Sequence, residues 1–364
     1  MRVALDEQIF AVQYHGGISR LFYQLAKAFI SDPSLGVQLS PLNAPIVNEY
    51  LLADSEASTY LNVSPAHGPY SALTRYLRKV RSSSDADVVH NTFYLPRGLR
   101  SGSDSKRVVT VYDMIPELLP GTRRRLDFLT LKRQYVKRAD HIICISESTR
   151  RDLLRVFPEV RTPISIAYPG VSSDFHPAAG SAIPLPTPYI LHVGNRAGYK
   201  DAQTLLEAFT RLAARFPDHT LMLVGGGPLT KRETSIIRAS GLQGRVQQVK
   251  LADSDVPSAY AQADVTVFPS RYEGFGLPAV EAMACGSPLI LADTSSLPEI
   301  GGDAALYFPP GDVAVLTEQI AGLLSNATER RDRGAMGIQQ AGHFTWSRYA
   351  QATAEAYQQA LLGV

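Results

Sequence analysis

Cysteine is almost missing from this chain of 364 residues: two occur, Cys144 in the apolar run His141 to Ser146 and Cys285 in Ala282 to Gly286. Two thiols cannot build a disulfide framework, and both read as small core residues. Charge of one sign is also lacking. The net charge is +2, which argues against a dedicated nucleic-acid binder. No apolar run approaches the ~18 residues a membrane span needs, and Met1 to Leu5, followed at once by Asp6 and Glu7, is too short for a signal peptide. Low-complexity and polar-biased segments are absent as well, so order is expected throughout. A cytoplasmic protein is the default expectation, and the triplet Asn326, Ala327, Thr328 carries no weight as a glycosylation acceptor without a secretory route.

What is present is a globular composition, 45% hydrophobic and 19% charged, in a chain long enough for about two domains at roughly 150 residues each. Short apolar runs alternate with amphipathic stretches, the pattern of parallel sheets covered by helices. In the first half the strand candidates are Arg2 to Asp6, Asp87 to His90, Arg107 to Asp113, His141 to Ser146 and Ile164 to Tyr168. Ile18, Leu21, Phe22, Leu25, Ala26 and Phe29 recur at helical spacing after Gly16 and Gly17, and Ser146 is placed to cap a second helix. Between Gly170 and Pro188 the prolines 177, 184, 186 and 188 fit neither helix nor strand and mark a domain boundary. A second series follows, with strands at Tyr189 to Val193, Leu221 to Val224, Arg245 to Leu251, Val265 to Phe268 and Pro288 to Ala292. Helices are expected at about Asp201 to Phe216, Leu277 to Ala284 and Asp312 to Leu324. The spacing therefore predicts two α/β domains, 1–175 and 185–345, with Trp346 to Leu362 as a helix returning to the first.

Charge is uneven between these halves: residues 1–175 hold 22 Lys+Arg against 17 Asp+Glu, the remainder 14 against 17. Seven of the basic residues fall between Gly121 and Asp140, among them Arg123, Arg124 and Arg125, interspersed with leucines. Two readings stay open for the region 121–138, an anionic membrane surface or a solvated helix face. The triplet Asp85, Ala86, Asp87 has the form of a manganese-nucleotide site, but short acidic triplets recur by chance and no metal is expected.

The most informative string is FPSRYEGFGLPAVEAMA, Phe268 to Ala284. A strand ends, a glycine turn follows and a helix begins, which is where open α/β sheets bind ligands. Glu273 lies in the turn and can reach a ligand hydroxyl; Glu281 lies in the helix and can accept two hydroxyls of a ribose. Gly274 and Gly276 allow close backbone approach, and the amides of Phe275, Gly276 and Leu277 form an anion site suited to a diphosphate. VGGGP, Val224 to Pro228, lacks the spacing of a dinucleotide fingerprint, so no nicotinamide cofactor is expected.

The string resembles the donor-site signature of family 4 retaining glycosyltransferases. That resemblance covers nearly the whole chain and implies the GT-B architecture, two Rossmann-like domains facing a cleft. It also implies that HVGNRAGYKD, His192 to Asp201, neutralises the donor diphosphate through Arg196 and Lys200, with Asn195 where the family commonly has arginine. Lys250 and Leu251 fall where the nucleobase would be gripped, largely by backbone. YHGGISRL resembles the loop that closes over the phosphates, bringing Gly16 and Gly17 to the donor. VYDMIPE places Asp113 to orient sugar or acceptor, with Tyr112 and His90 as weaker acceptor-side candidates.

The implied reaction is a metal-independent transfer of a hexose, with retention, to a saccharide or lipid-linked saccharide acceptor in surface polysaccharide synthesis, peripheral on the inner membrane face if the basic stretch binds lipid. GDP-mannose is the favoured donor, because GNRAGYKD and VYDMIPE resemble segments of bacterial mannosyltransferases; UDP-glucose stays open. Alternatives are a sugar-nucleotide epimerase or hydrolase on the same fold, or a non-catalytic binding protein.

Overall fold

The computed structural model describes residues 1–66, 85–96, 99, 104–119, 126–178, 185–196 and 198–363. The chain divides into two compact units, Met1–Gly170 with Trp346–Val364, and Val171–Thr345. The first unit ends at Gly170 rather than 175 because Val171 bridges Thr345 and its amide donates to the Phe344 carbonyl.

The first unit is built on six parallel strands, β1 (Arg2–Leu5), β2 (Gln38–Leu39), β3 (Val88–Asn91), β4 (Lys106–Val111), β5 (His141–Cys144) and β6 (Ile164–Ile166), in the order β2-β1-β3-β4-β5-β6. All four residues of β3 and of β5 are buried, as expected of parallel strands with helices on both faces. The helix Gly17–Ser31 buries Leu21, Phe22, Leu25, Ala26 and Phe29, its apolar face. Ser146 caps Glu147–Val156 by accepting the Thr149 amide. The terminal helix Trp346–Leu362 packs on this unit, burying Tyr349, Ala350, Ala354, Ala356, Tyr357 and Ala360.

The second unit repeats the plan with β7 (Tyr189–Val193), β8 (Thr220–Val224), β9 (Val246–Val249), β10 (Val265–Phe268), β11 (Leu289–Ala292) and β12 (Leu306–Phe308), all parallel, in the order β9-β8-β7-β10-β11-β12. The chain winds outward from β7 in one direction and then, from β10, in the other, so the topological switch point lies between β7 and β10.

Every expected strand is present. Among the described residues four short strands and two longer helices add to those expected: β2 and β12, of two and three residues, the separate parallel pair Pro45–Ile46 and Ser64–Pro65, and Lys231–Ala239 and Ala327–Ala341. Ala327–Ala341 is charged and carries Gly334 and Gly337, which the rules of helix propensity disfavour. Packing overrides them at Gly334, where a Cβ would collide with the Gly286 carbonyl oxygen, and Gly337 lies in close contact with Met283.

The basic helix Leu126–Arg138 spends its cations within its own unit. Lys132 is 2% exposed and bonds Glu117 at 3.0 Å, while Arg133 and Lys137 share Glu159. Arg123, Arg124 and Arg125 lie outside the described residues. Among the described residues no helix is long and apolar enough to cross a membrane.

Candidate functional site

The carboxyl ends of β7 and β10 frame a shallow depression, about 40 Å³ in volume, lined by His192, Gly194, Asn195, Lys200, Phe268, Glu273, Gly276, Pro278 and Leu297, among others. It lies at the switch point of the second sheet. Lys200 reaches it from the turn after β7 and Glu273 from the turn after β10; the Lys200 Nζ donates to both carboxylate oxygens, at 2.7 and 2.8 Å. The two side chains are 24% and 13% exposed, so the pair is sheltered without being sealed off.

Neighbouring groups hold these turns. The Arg271 amide donates to the Tyr199 carbonyl at 2.7 Å, and its guanidinium bonds Asp201 at 2.9 Å, joining the turn that carries Lys200 to the one that carries Glu273. The Glu273 amide donates to Ser295 Oγ at 2.8 Å, and Ser296 Oγ donates to the carbonyls of Glu273 and Phe275 at 3.0 and 2.7 Å. Gly276 then turns the chain with φ of +109° before the helix Leu277–Ala284. That backbone is left-handed and favours glycine. Phe275 is buried against Phe344, and Glu281, 7% exposed, lies in the helix.

Arg196 has its hydrogen bonds inside its own unit. Expected to touch a diphosphate, it is 7% exposed and faces its own unit. Nε bonds Glu233 at 2.8 Å, Nη1 the Gly225 carbonyl at 2.6 Å, and Nη2 the carbonyls of Gly227 and Pro228, each at 2.9 Å. Four of five guanidinium hydrogens are thus committed. Burial alone would push Glu233 up, but hydrogen bonds from Thr230 and Arg196 outweigh it and hold its carboxyl below the usual range. The residue common at position 195 in the resemblance is here an exposed asparagine.

His192 was not singled out from the sequence, yet it forms a wall of the depression. It is 1% exposed, and burial pushes its pKa down. The shorter contact, Nδ1 to the Val267 carbonyl at 3.0 Å, assigns the proton to Nδ1. Nε2 lies farther off, 3.5 Å from the Asn195 carbonyl oxygen. Lys250 is exposed and Leu251 half-buried at the end of β9, outside the lining of the depression.

In the first unit, Tyr112 is buried and its hydroxyl donates to the Thr92 carbonyl at 2.7 Å. Asp113 is half-buried; its carboxylate accepts the Ile115 amide and its carbonyl accepts Lys132 Nζ. Gly17 is exposed at the start of its helix, and the Gly16 carbonyl accepts the Arg20 amide and the Ser19 hydroxyl. His90, a weaker acceptor-side candidate, lies inside the unit. It is fully enclosed, with one ring nitrogen on Tyr357 and the other on Thr110, each at 2.8 Å, so it ties the terminal helix to the sheet. Asp87 accepts the Arg2 amide at 2.7 Å, and among the described residues no three His, Cys, Asp or Glu side chains gather as a metal site would need.

Two family models match this chain, Glycosyltransferase Family 4 over residues 15–175 and Glycosyl transferases group 1 over residues 178–340. The chain belongs to the family 4 glycosyltransferases. Among curated relatives, O-antigen chain mannosyltransferase B of Escherichia coli is 28% identical over 73% of this chain and 72% of its own. The MMP alpha-(1->4)-mannosyltransferase of Mycolicibacterium hassiacum is 29% identical over 67% and 60%. Several relatives are matched over less than two thirds of their own length. Among solved structures, sucrose-phosphate synthase from Thermosynechococcus elongatus superposes with a TM-score of 0.72 at 21% identity, covering both chains in full. Anabaena HepE in complex with UDP and glucose gives 0.71 at 16%, over 97% and 98%. These likenesses identify the fold of this glycosyltransferase as GT-B.

Proposed function

We propose that this glycosyltransferase moves a hexosyl group, best assigned as mannosyl from GDP-mannose, to a saccharide hydroxyl in polysaccharide assembly, with retention of configuration. The observation that carries this reading is the Lys200–Glu273 pair beside the amino end of Leu277–Ala284, at the switch point of the second sheet. A cation and a helix amino terminus suit a diphosphate, and a carboxylate at their side suits sugar hydroxyls. The mannosyltransferases among the relatives support mannose; UDP in the HepE complex supports a nucleoside diphosphate.

In this reading Lys200 and the amides near Gly276 and Leu277 take the charge that develops on the leaving diphosphate, and such preorganised electrostatics lowers the barrier more than any other single effect. Glu273 holds donor-sugar hydroxyls and Glu281 the ribose. Arg196 acts indirectly, fixing the turn beneath Asn195. The C1–O bond to phosphate breaks as the acceptor oxygen bonds C1 from the same face. The acceptor proton passes to the departing phosphate oxygen, so no carboxylate nucleophile and no metal is required. On the acceptor side, Asp113 orients the incoming sugar.

The test is a hydrolysis and thermal-shift screen of the purified protein against GDP-mannose, UDP-glucose, UDP-galactose and UDP-N-acetylglucosamine, with and without EDTA. Stabilisation and slow hydrolysis of GDP-mannose, undiminished by EDTA, is the expected result. A response abolished by EDTA removes the metal-free site, and preference for a uridine donor removes the mannosyl assignment.

A further inference from the structure

We infer that Glu273 also competes with the spent nucleoside diphosphate for Lys200, so that the same carboxylate that holds the donor sugar drives product release. The inference rests on reading this depression as the donor site, and it follows from how the pair is built. Lys200 Nζ meets both Glu273 oxygens at near-equal distances, 2.7 and 2.8 Å. An ammonium has three hydrogens, and two are directed at one carboxylate. Any phosphate that takes Lys200 must therefore draw it from Glu273 or share it.

The chemistry of the two ligands decides when that competition matters. A nucleoside diphosphate has lost the sugar that esterified its terminal phosphate, so it carries an additional ionisable oxygen and more negative charge than the nucleotide sugar. A lone lysine would bind the product more tightly than the donor, which is inhibitory by construction. Glu273 reverses the preference. While donor is bound, sugar hydroxyls occupy the carboxylate and leave Lys200 to the diphosphate; once the sugar departs, Glu273 is again the nearest anion to Lys200.

Neighbouring bonds confine the exchange to the side chains. The Glu273 amide is held by Ser295 Oγ and its carbonyl by Ser296 Oγ, at 2.8 and 3.0 Å. On the other turn the Tyr199 carbonyl is held by the Arg271 amide at 2.7 Å. The backbones on both sides are anchored, so Lys200 changes partner by rotating and returns to the same carboxylate.

The experiment is titration calorimetry of the full chain with GDP, UDP and GDP-mannose, for the wild type, Glu273→Gln and Glu273→Asp. Glu273→Gln keeps the shape but loses the competing charge, and Glu273→Asp keeps the charge but shortens its reach. The expected result is that Glu273→Gln binds its nucleoside diphosphate about three- to tenfold tighter than the wild type, while its affinity for the nucleotide sugar falls. Glu273→Asp shifts in the same direction by less, and this second variant carries the test if the first does not fold. Nucleoside diphosphate binding that is unchanged or weaker in the variants overturns the inference while leaving the donor site in place. No binding of either diphosphate by the wild type removes the donor-site reading itself, and the inference with it.

Discussion

Replacing Arg196 by alanine separates two roles that the sequence alone leaves merged. If Arg196 is a ligand for the donor, removing it lowers donor affinity and leaves stability nearly untouched. The structure argues for the opposite balance. The side chain is 4% exposed, its partner Glu233 12%, and the substitution leaves a sheltered carboxylate and the carbonyls of Gly225, Gly227 and Pro228 without their donor. Breaking one side of a buried pair costs about 3–5 kcal/mol, most of it from the group left behind. For a domain of this size that is a fall in Tm of about 6–20 °C. Lysine should rescue little, since an ammonium cannot serve four acceptors arranged around a planar fork. Glu233→Gln removes the charge but keeps an acceptor oxygen, and should cost less than Arg196→Ala. Thermal melts followed by far-UV circular dichroism, paired with GDP calorimetry, give both quantities. An Arg196→Ala protein that melts within about 1 °C of the wild type but has lost GDP binding would refute this reasoning and restore Arg196 to the phosphate.

Lys132→Met should cost about 3–5 kcal/mol, because Glu117 Oε1 is buried without a hydrogen bond among the described residues and Lys132 partners its Oε2. Burial holds the Glu117 carboxyl above its ordinary range despite Lys132. A carboxyl raised on folding contributes stability in full below its unfolded pKa and loses it as pH rises through the folded one, so denaturant melts of Lys132→Met should weaken with rising pH more steeply than those of the wild type. His90 behaves oppositely: burial depresses its pKa from 6.5 to about 3, so its contribution is complete above 6.5 and is lost as pH falls toward 3. His90→Gln should flatten the wild-type stability profile in that window by an amount on the order of a few kcal/mol. Both thiols are buried, with Cys144 pushed up and Cys285 pushed up to about 12 by burial. The folded protein should resist a thiol reagent at neutral pH, and both thiols should react on denaturation.

The legible part of the fold was the part written in consecutive residues. Runs such as Val265–Phe268 and Leu289–Ala292, buried along their whole length, announce parallel strands, and the string Phe268 to Ala284 announces the turn between β10 and the helix Leu277–Ala284. Strands of two or three residues, such as Gln38–Leu39, carry too little pattern to be seen. Lys231–Ala239 does carry a signal in the order of its residues, because Thr230 and Glu233 form a capping box. The partners of Arg196 were beyond reach for a different reason. Three are backbone carbonyls of Gly225, Gly227 and Pro228, about thirty residues along the chain, and a carbonyl has no letter in the sequence. His192 presented the converse difficulty, since a lone histidine in a strand announces nothing until its neighbours are known.

Those long-range bonds also explain how mobile-looking turns can hold a site to tight tolerances. Four successive strand ends are joined in series: Arg196 ties the turn after β7 to the one after β8, Arg271 ties the turn after β10 to the one after β7, and Ser295 and Ser296 tie the turn after β11 to the one after β10. Each tie is a side chain bonded across to another turn's backbone or carboxylate. Loops held this way surrender their conformational freedom during folding rather than at substrate binding, which leaves more of the binding energy for the reacting groups. Lys200 and Glu273 stand on the central two of these turns. Their separation is therefore fixed by the scaffold, and what stays free to change is which anion the lysine faces.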